Sequence, residues 1–173
     1  MPEFVNPIEI LNQIPLRSTM IAADFGCGSG GWTVPLARKL EDGQVFAIDI
    51  QEEPLSALES KAKLEGISNI RKIVADVERR IPQIPDSSCN LVLITDLLFQ
   101  VDNKEGVFKE AKRVLIPGGR VLVVEWKPEA PFAPKEGAPS KEEVKEIAQN
   151  LGFQLEKEFK AGDYHYGLIF TKS

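Results

Sequence analysis

The chain is poor in the residues that staple or decorate small extracellular folds. It has two cysteines, Cys27 and Cys89, in 173 residues. Neither has a partner at metal-ligand spacing, so a disulfide scaffold and a cysteine metal site are both excluded, and no metal is expected. There is one histidine, His165, which removes histidine-rich metal chemistry from consideration. No apolar run approaches the roughly 18 residues of a membrane span. The first residues, Met1-Pro2-Glu3-Phe4, lack the basic stretch and apolar core of a secretory leader, so a cytoplasmic protein is expected. Basic residues are outnumbered 21 to 26, giving a net charge of −5, and the longest basic run, Arg71-Lys72 then Glu78-Arg79-Arg80, is interrupted. Nucleic acid is therefore a disfavoured partner.

What is present suffices for one well-packed domain. Hydrophobic residues make up 43% and charged residues 27%, and a chain of this size buries roughly 70% of its unfolded surface. Residues 5–14 read as a short amphipathic helix with Ile8, Leu11 and Ile14 on one face. Strands are expected at 20–25, 45–50, 70–75, 90–95 and 120–126. Helices are expected at 32–40, 54–65 and 104–114, with a loop over 79–89. The stretch 127–139 carries Pro128, Pro131, Pro134 and Gly137 before Pro139 and reads as an irregular loop. Ser140 and Glu143 form a capping box for a last helix. Two strands, 153–159 and 164–171, close the chain, and the short link between them requires an antiparallel pair. Regular strand–helix alternation implies an α/β fold: a Rossmann-like, doubly wound, mostly parallel sheet of seven strands with an antiparallel last strand and helices on both faces. The single domain divides into an N-terminal helical segment (1–19), a cofactor-binding core (20–126), the loop, and the last helix with two strands (140–173).

Chemistry gathers where strands end. The first strand runs into Gly26-Cys27-Gly28-Ser29-Gly30-Gly31. Gly26, Gly28 and Gly30 satisfy one spacing; Gly26, Gly28 and Gly31 satisfy the dinucleotide spacing, so the loop alone leaves both open. Either way, glycines permit close approach of a ligand to the backbone. Asp24, two residues earlier, would repel a pyrophosphate and attract an ammonium or sulfonium. Asp49 ends the second strand and suits ribose hydroxyls; Asp76 ends the third and suits an adenine edge.

With these residues in place, the chain resembles the class I S-adenosylmethionine-dependent methyltransferases. Ala23-Asp24-Phe25-Gly26-Cys27-Gly28-Ser29-Gly30 is similar to their first motif, Val45–Asp49 to the acidic second, Ala75-Asp76-Val77 to the third and Leu91–Thr95 to the fourth. Arg113-Val114-Leu115-Ile116-Pro117-Gly118-Gly119-Arg120 resembles the turn before their fifth strand. Within the class the chain looks most like the small methyltransferases related to ubiquinone/menaquinone-biosynthesis enzymes. The resemblance implies S-adenosylmethionine as cofactor. Gly26, Gly28, Gly30 and the backbone of Cys27 would hold its methionine part and Asp24 its ammonium. Asp49 would hold the ribose, Ile50 and Val77 would join Asp76 at the adenine, and Thr95 would border the methionine.

Methyl transfer needs a general base only if the acceptor is protonated. Asp96, Glu125 and His165 are the candidates near the carboxyl edge. Trp126, Tyr164 and His165 are the expected substrate contacts, with Tyr164 and Tyr166 on the strand face opposite His165. No inserted substrate domain is visible, which favours a small-molecule acceptor, and a protein side chain is the alternative. An Asn-Pro-Pro-Tyr-like run, which amino-group methylation of nucleobases or glutamine would need, is missing after the fourth strand. A nicotinamide-dependent oxidoreductase and a non-catalytic cofactor-binding subunit are the competing functions. The oligomeric state is not readable from the sequence.

Overall fold

Small and β-branched residues in short apolar runs build the centre of the sheet. In the computed structural model, which describes residues 1–173, these runs are β1 (Ile21–Phe25), β2 (Gln44–Asp49), β3 (Ile70–Val74), β4 (Cys89–Thr95) and β5 (Leu115–Trp126), followed by β6 (Phe153–Ala161) and β7 (His165–Lys172). The helices are α1 (Pro7–Leu11), α2 (Thr33–Lys39), α3 (Glu52–Leu64), α4 (Lys104–Val114) and α5 (Lys141–Asn150). The strand order is β3-β2-β1-β4-β5-β7-β6. β7 is antiparallel to both of its neighbours, and the other pairs are parallel. The expected seven-stranded, doubly wound sheet is thus the observed one.

Successive side chains of the central strands serve two different cores, as the pleat requires. Ala23, Val92, Ile94, Val121 and Val123 pack with Phe108 of α4 and Val144 of α5 on one face. Ala22, Leu91, Leu93, Leu122 and Val124 pack with Leu11 of α1 and Leu36 of α2 on the other. α4 is capped by the Asn103 side chain, which accepts from the Gly106 N–H, and α5 by Ser140, which accepts from Glu143. Phe108, Phe153 and Phe170 meet with ring centroids 6.3–6.4 Å apart and lock α4 to the final hairpin. Removing a buried phenyl ring such as that of Phe108 costs roughly 3–5 kcal/mol.

Several boundaries differ from the sequence expectation. α1 is confined to Pro7–Leu11, because Asn6 caps it early and a turn follows at Asn12. α3 starts at Glu52, so Pro54 lies within the first turn, where its missing N–H has no cost. β5 starts at Leu115, not Arg120. Leu115 pairs with Cys89, and Pro117-Gly118-Gly119 bulges out before pairing resumes at Leu91 and Arg120. Gly118, with φ +80°, absorbs the excursion. β6 runs on to Ala161, which moves Tyr164 out of the last strand and into the turn, so the face expected for it does not apply.

The 79–89 loop is held by a buried pair from α4. Glu110 accepts from the Ile81 N–H at 2.6 Å, and Arg113 donates to the Ile81 and Ile84 carbonyls and to Asp86. No helix is long and apolar enough to cross a membrane.

Candidate functional site

The strand order reverses between β1 and β4, and such a switch point opens a crevice at the carboxyl edge. A cavity of about 350 Å³ occupies it, walled by Gly26, Gly28, Asp49, Ile50, Asp76 and Val77 together with Leu97, Gln100 and Val101. Gly26, Gly28 and Gly30 have φ of +69°, +54° and +96°, whereas Gly31 is not in the left-handed region. Gly26, Gly28 and Gly30 thus use a glycine's backbone freedom, and at Gly31 a Cβ would meet nothing within 4 Å. A Cβ on Gly26 would lie 2.6 Å from Leu97 Cδ1, and one on Gly28 would meet nothing within 4 Å. Gly28 thus presents bare backbone to the cavity.

The carboxylates around this loop have distinct tasks. Asp49 accepts from the Gly28 N–H at 3.0 Å and from the Gln51 N–H at 3.0 Å, tying the glycine loop to the end of β2. Asp76 accepts from the Glu78 N–H at 2.9 Å and stays on the cavity wall. Ile50 is 66% exposed beside it, an apolar side chain with an open face available for a flat ring. Asp24 is fully buried. Its Oδ2 accepts from the Thr33 hydroxyl at 2.7 Å, while Oδ1 has no partner. Burial, partly offset by Thr33 and reinforced by Asp49, pushes its pKa up to about 7. A buried acceptor without a donor is costly and fits a site completed by a cationic ligand group. Cys27 is buried, its N–H bonded to the Ile48 carbonyl, and burial pushes its thiol up.

Beyond β4 the site has a different character. Thr95 ends β4 and is buried without lining the cavity, whereas Leu97, two residues later, lines it. Asp96 has φ +46°, its N–H held by the Val124 carbonyl. Its Oδ1 lies 2.9 Å from His165 Nε2. Trp126, opposite His165 in the β5–β7 register, lies over the imidazole with centroids 4.2 Å apart. Glu125 is buried and accepts from the Leu98 N–H at 2.8 Å and the Trp126 N–H at 3.0 Å. Burial, with the nearby Asp96 charge, raises its pKa to about 7. Tyr164 packs on Phe132 of the 127–139 loop and on Phe4. Asp96, Glu125, Trp126 and His165 are therefore gathered, but on the β4–β5–β7 side of the crevice and outside the cavity wall.

Residues 23–123 match a family model described as a methyltransferase domain. The chain belongs to the methyltransferase domain family. A demethylmenaquinone methyltransferase of Geobacillus stearothermophilus is 30% identical over 118 residues, 68% of this chain and 50% of that protein. A sterol 24-C-methyltransferase of Gibberella zeae is 31% identical over 117 residues, 68% of this chain and 30% of that protein. The chain spans about half, or less, of the length of these curated relatives. Across its whole length it is similar to the crystal structure of a SAM-dependent methyltransferase from Aquifex aeolicus, with 25% identity, a TM-score of 0.90, and 98% and 91% of the two chains covered.

For this methyltransferase domain, the nicotinamide reading that the glycine spacing left open falls away. The sequence reading missed Leu97, Gln100 and Val101, the outer wall of the cavity. They sit on and beside a single 3-10 turn at Leu98–Gln100, whose position depends on Glu125 from a distant strand. No local pattern announces such a wall.

Proposed function

We propose that this chain binds S-adenosylmethionine in the cavity and transfers its methyl group to a small, largely apolar acceptor. The observation that carries the reading is Asp24 Oδ1, a fully buried acceptor without a donor, behind a glycine loop whose Gly28 is bare toward the cavity. The cavity wall would offer Gly26 and Gly28 to its methionine backbone, Asp49 to its ribose, and Asp76, Val77 and Ile50 to its adenine, with Gly30 and the buried Asp24, the group suited to its ammonium, directly behind that wall. When bound, it supplies a methyl group already activated by a positive sulfur. The chain's own work is to place the acceptor in line and keep water out.

The acceptor side supports an apolar, ring-bearing substrate, because Trp126, Tyr164, Phe132 and Phe4 present aromatic surface there. The quinone and sterol acceptors in the names of its relatives have the same character. Two free, buried cysteines suit the reducing cytoplasm. Calorimetric titration with S-adenosylhomocysteine tests the cofactor half, and transfer of labelled methyl to 1,4-dihydroxynaphthalene tests the acceptor half. Binding without transfer to any small acceptor would favour a protein side chain or a non-catalytic subunit; no binding would sink the reading.

A further inference from the structure

His165 is the one histidine of the chain, and three elements fix it. β7 begins with it, β5 lays Trp126 over its ring, and the residue after β4, Asp96, meets its Nε2. A carboxylate only accepts hydrogen bonds. In the neutral ring the proton of this 2.9 Å contact therefore sits on Nε2, and Nδ1 keeps a lone pair. Nδ1 has no partner within the chain, yet it is not sealed in, because Asp24 Oδ1 is the one fully buried side-chain atom without a partner. Asp96 occupies left-handed backbone at φ +46°, an arrangement that the Val124 carbonyl and the Gln100 side chain hold from both sides.

The place suits proton transfer. Asp96 directly follows the strand next to β1, which carries the glycine loop, so the pair stands across the switch point from the cavity. The charged groups around the ring are few. Asp96 and Glu125 lie on the β4 and β5 sides. β6 sets the apolar Ala161 opposite His165, and its Lys160 pairs with Asp163 and Glu3. Lys127 donates to the Asp163 carbonyl.

We propose that His165 is the base that deprotonates the methyl acceptor, with Asp96 as its positioning residue, so that the acceptor is one with an acidic O–H, a phenol or an enol. An imidazole lies far closer in basicity to a phenolate or enolate than to an alkoxide, so proton loss from a phenol or an enol asks the least of it. The inference rests on the function proposed above. The acceptor O–H bond breaks and its proton passes to Nδ1. The electron pair so released, at oxygen or at the conjugated carbon, forms the bond to the methyl carbon. The carbon–sulfur bond breaks toward sulfur, leaving a neutral thioether. For reaction at oxygen, the imidazolium, held by the Asp96 carboxylate, then returns its proton to solvent. For reaction at carbon, that carbon then loses its proton to solvent and the oxygen takes one back from the imidazolium, so that conjugation and the hydroxyl are both restored and one proton is released in all.

A single histidine makes the test clean. Long-range ¹H–¹⁵N correlation spectra of the whole protein should show one imidazole, protonated at Nε2 and bare at Nδ1. Asp96→Asn, at an exposed position, should leave the fold intact and mix the two tautomers. Adding 1,4-dihydroxynaphthalene with S-adenosylhomocysteine should move the Nδ1 resonance toward the protonated position. With labelled cofactor, His165→Gln should lower transfer at least ~10²-fold, while S-adenosylhomocysteine affinity stays within about twofold. A proton resident on Nδ1, no response of the ring to the phenol, or His165→Gln retaining transfer would overturn the proposal. Failure of the wild-type protein to bind S-adenosylhomocysteine would instead strike the function on which it rests.

Discussion

The crevice has two walls built on different principles. On the β1–β2–β3 side, short local segments do the work: three glycines with positive φ, and carboxylates that end strands and bond to backbone N–H groups within reach in space. On the β4–β5–β7 side, local bonds such as Gln100 to the Asp96 carbonyl are joined by side-chain contacts from farther along the chain. Asp96 meets His165 69 positions away, and Glu125 meets Leu98 27 positions away. The first wall can recognise a fixed ligand with backbone geometry. The second can change with a few side chains, which suits the part of a methyltransferase that meets its acceptor.

The sharpest way to break this division is Asp49→Ala. It removes the carboxylate that bonds the Gly28 and Gln51 N–H groups and the expected ribose acceptor together. Loss of two charge-assisted hydrogen bonds should cost on the order of 2–4 kcal/mol of S-adenosylhomocysteine binding, roughly 30- to 1,000-fold in Kd by calorimetry. Unchanged affinity would show that the first wall does not read the ribose.

Asp24→Asn should separate binding from stability. Affinity should fall about tenfold with the lost charge, yet the ligand-free protein should gain on the order of 1–3 kcal/mol at pH 8, seen as a raised Tm. The native Asp24 and Glu125 both hold pKa values near 7, above the ordinary carboxylate range. The folded state thus binds more protons than the unfolded state between about pH 4 and 7. Their contribution to stability is fully present below that window, is lost as pH rises through it, and is flat above it. Thermal melts of the ligand-free protein at pH 5 and pH 8 check the sign, and Asp24→Asn should reduce the difference to the share carried by Glu125.

The smallest expected effect joins the two walls. Glu125→Gln keeps the shape but can accept with only one atom, so one of the Leu98 and Trp126 N–H groups loses its partner. The outer wall at Leu97–Val101 should loosen, weakening S-adenosylhomocysteine binding by a few-fold, about 1 kcal/mol or less. Faster hydrogen exchange at the Leu98 amide would report the same change. An unaffected amide would mean that the walls are independent.

The amino-acid sequence alone determined the strand–helix alternation, the glycine loop, Asp24, Asp49 and Asp76. Each rests on spacing within a few residues or on a strand end, and such signals survive without knowledge of neighbours. It also placed His165 at the correct edge, because a turn too short to cross over forces β7 antiparallel and starts it there. Only the tertiary structure decided that Gly30, not Gly31, must be glycine, since Gly30 has φ +96° and a Cβ there would collide with Leu58 Cδ1, whereas one on Gly31 would meet nothing within 4 Å. Only it extended β5 back to Leu115 through a bulge, because pairing with Cys89 outweighs the local turn signal of Pro117-Gly118-Gly119. The partnership of Asp96 with His165 and the wall at Leu97–Val101 belong to the same class. They are contacts between segments that only the sheet order brings together, and no periodicity along the chain encodes a distance across it.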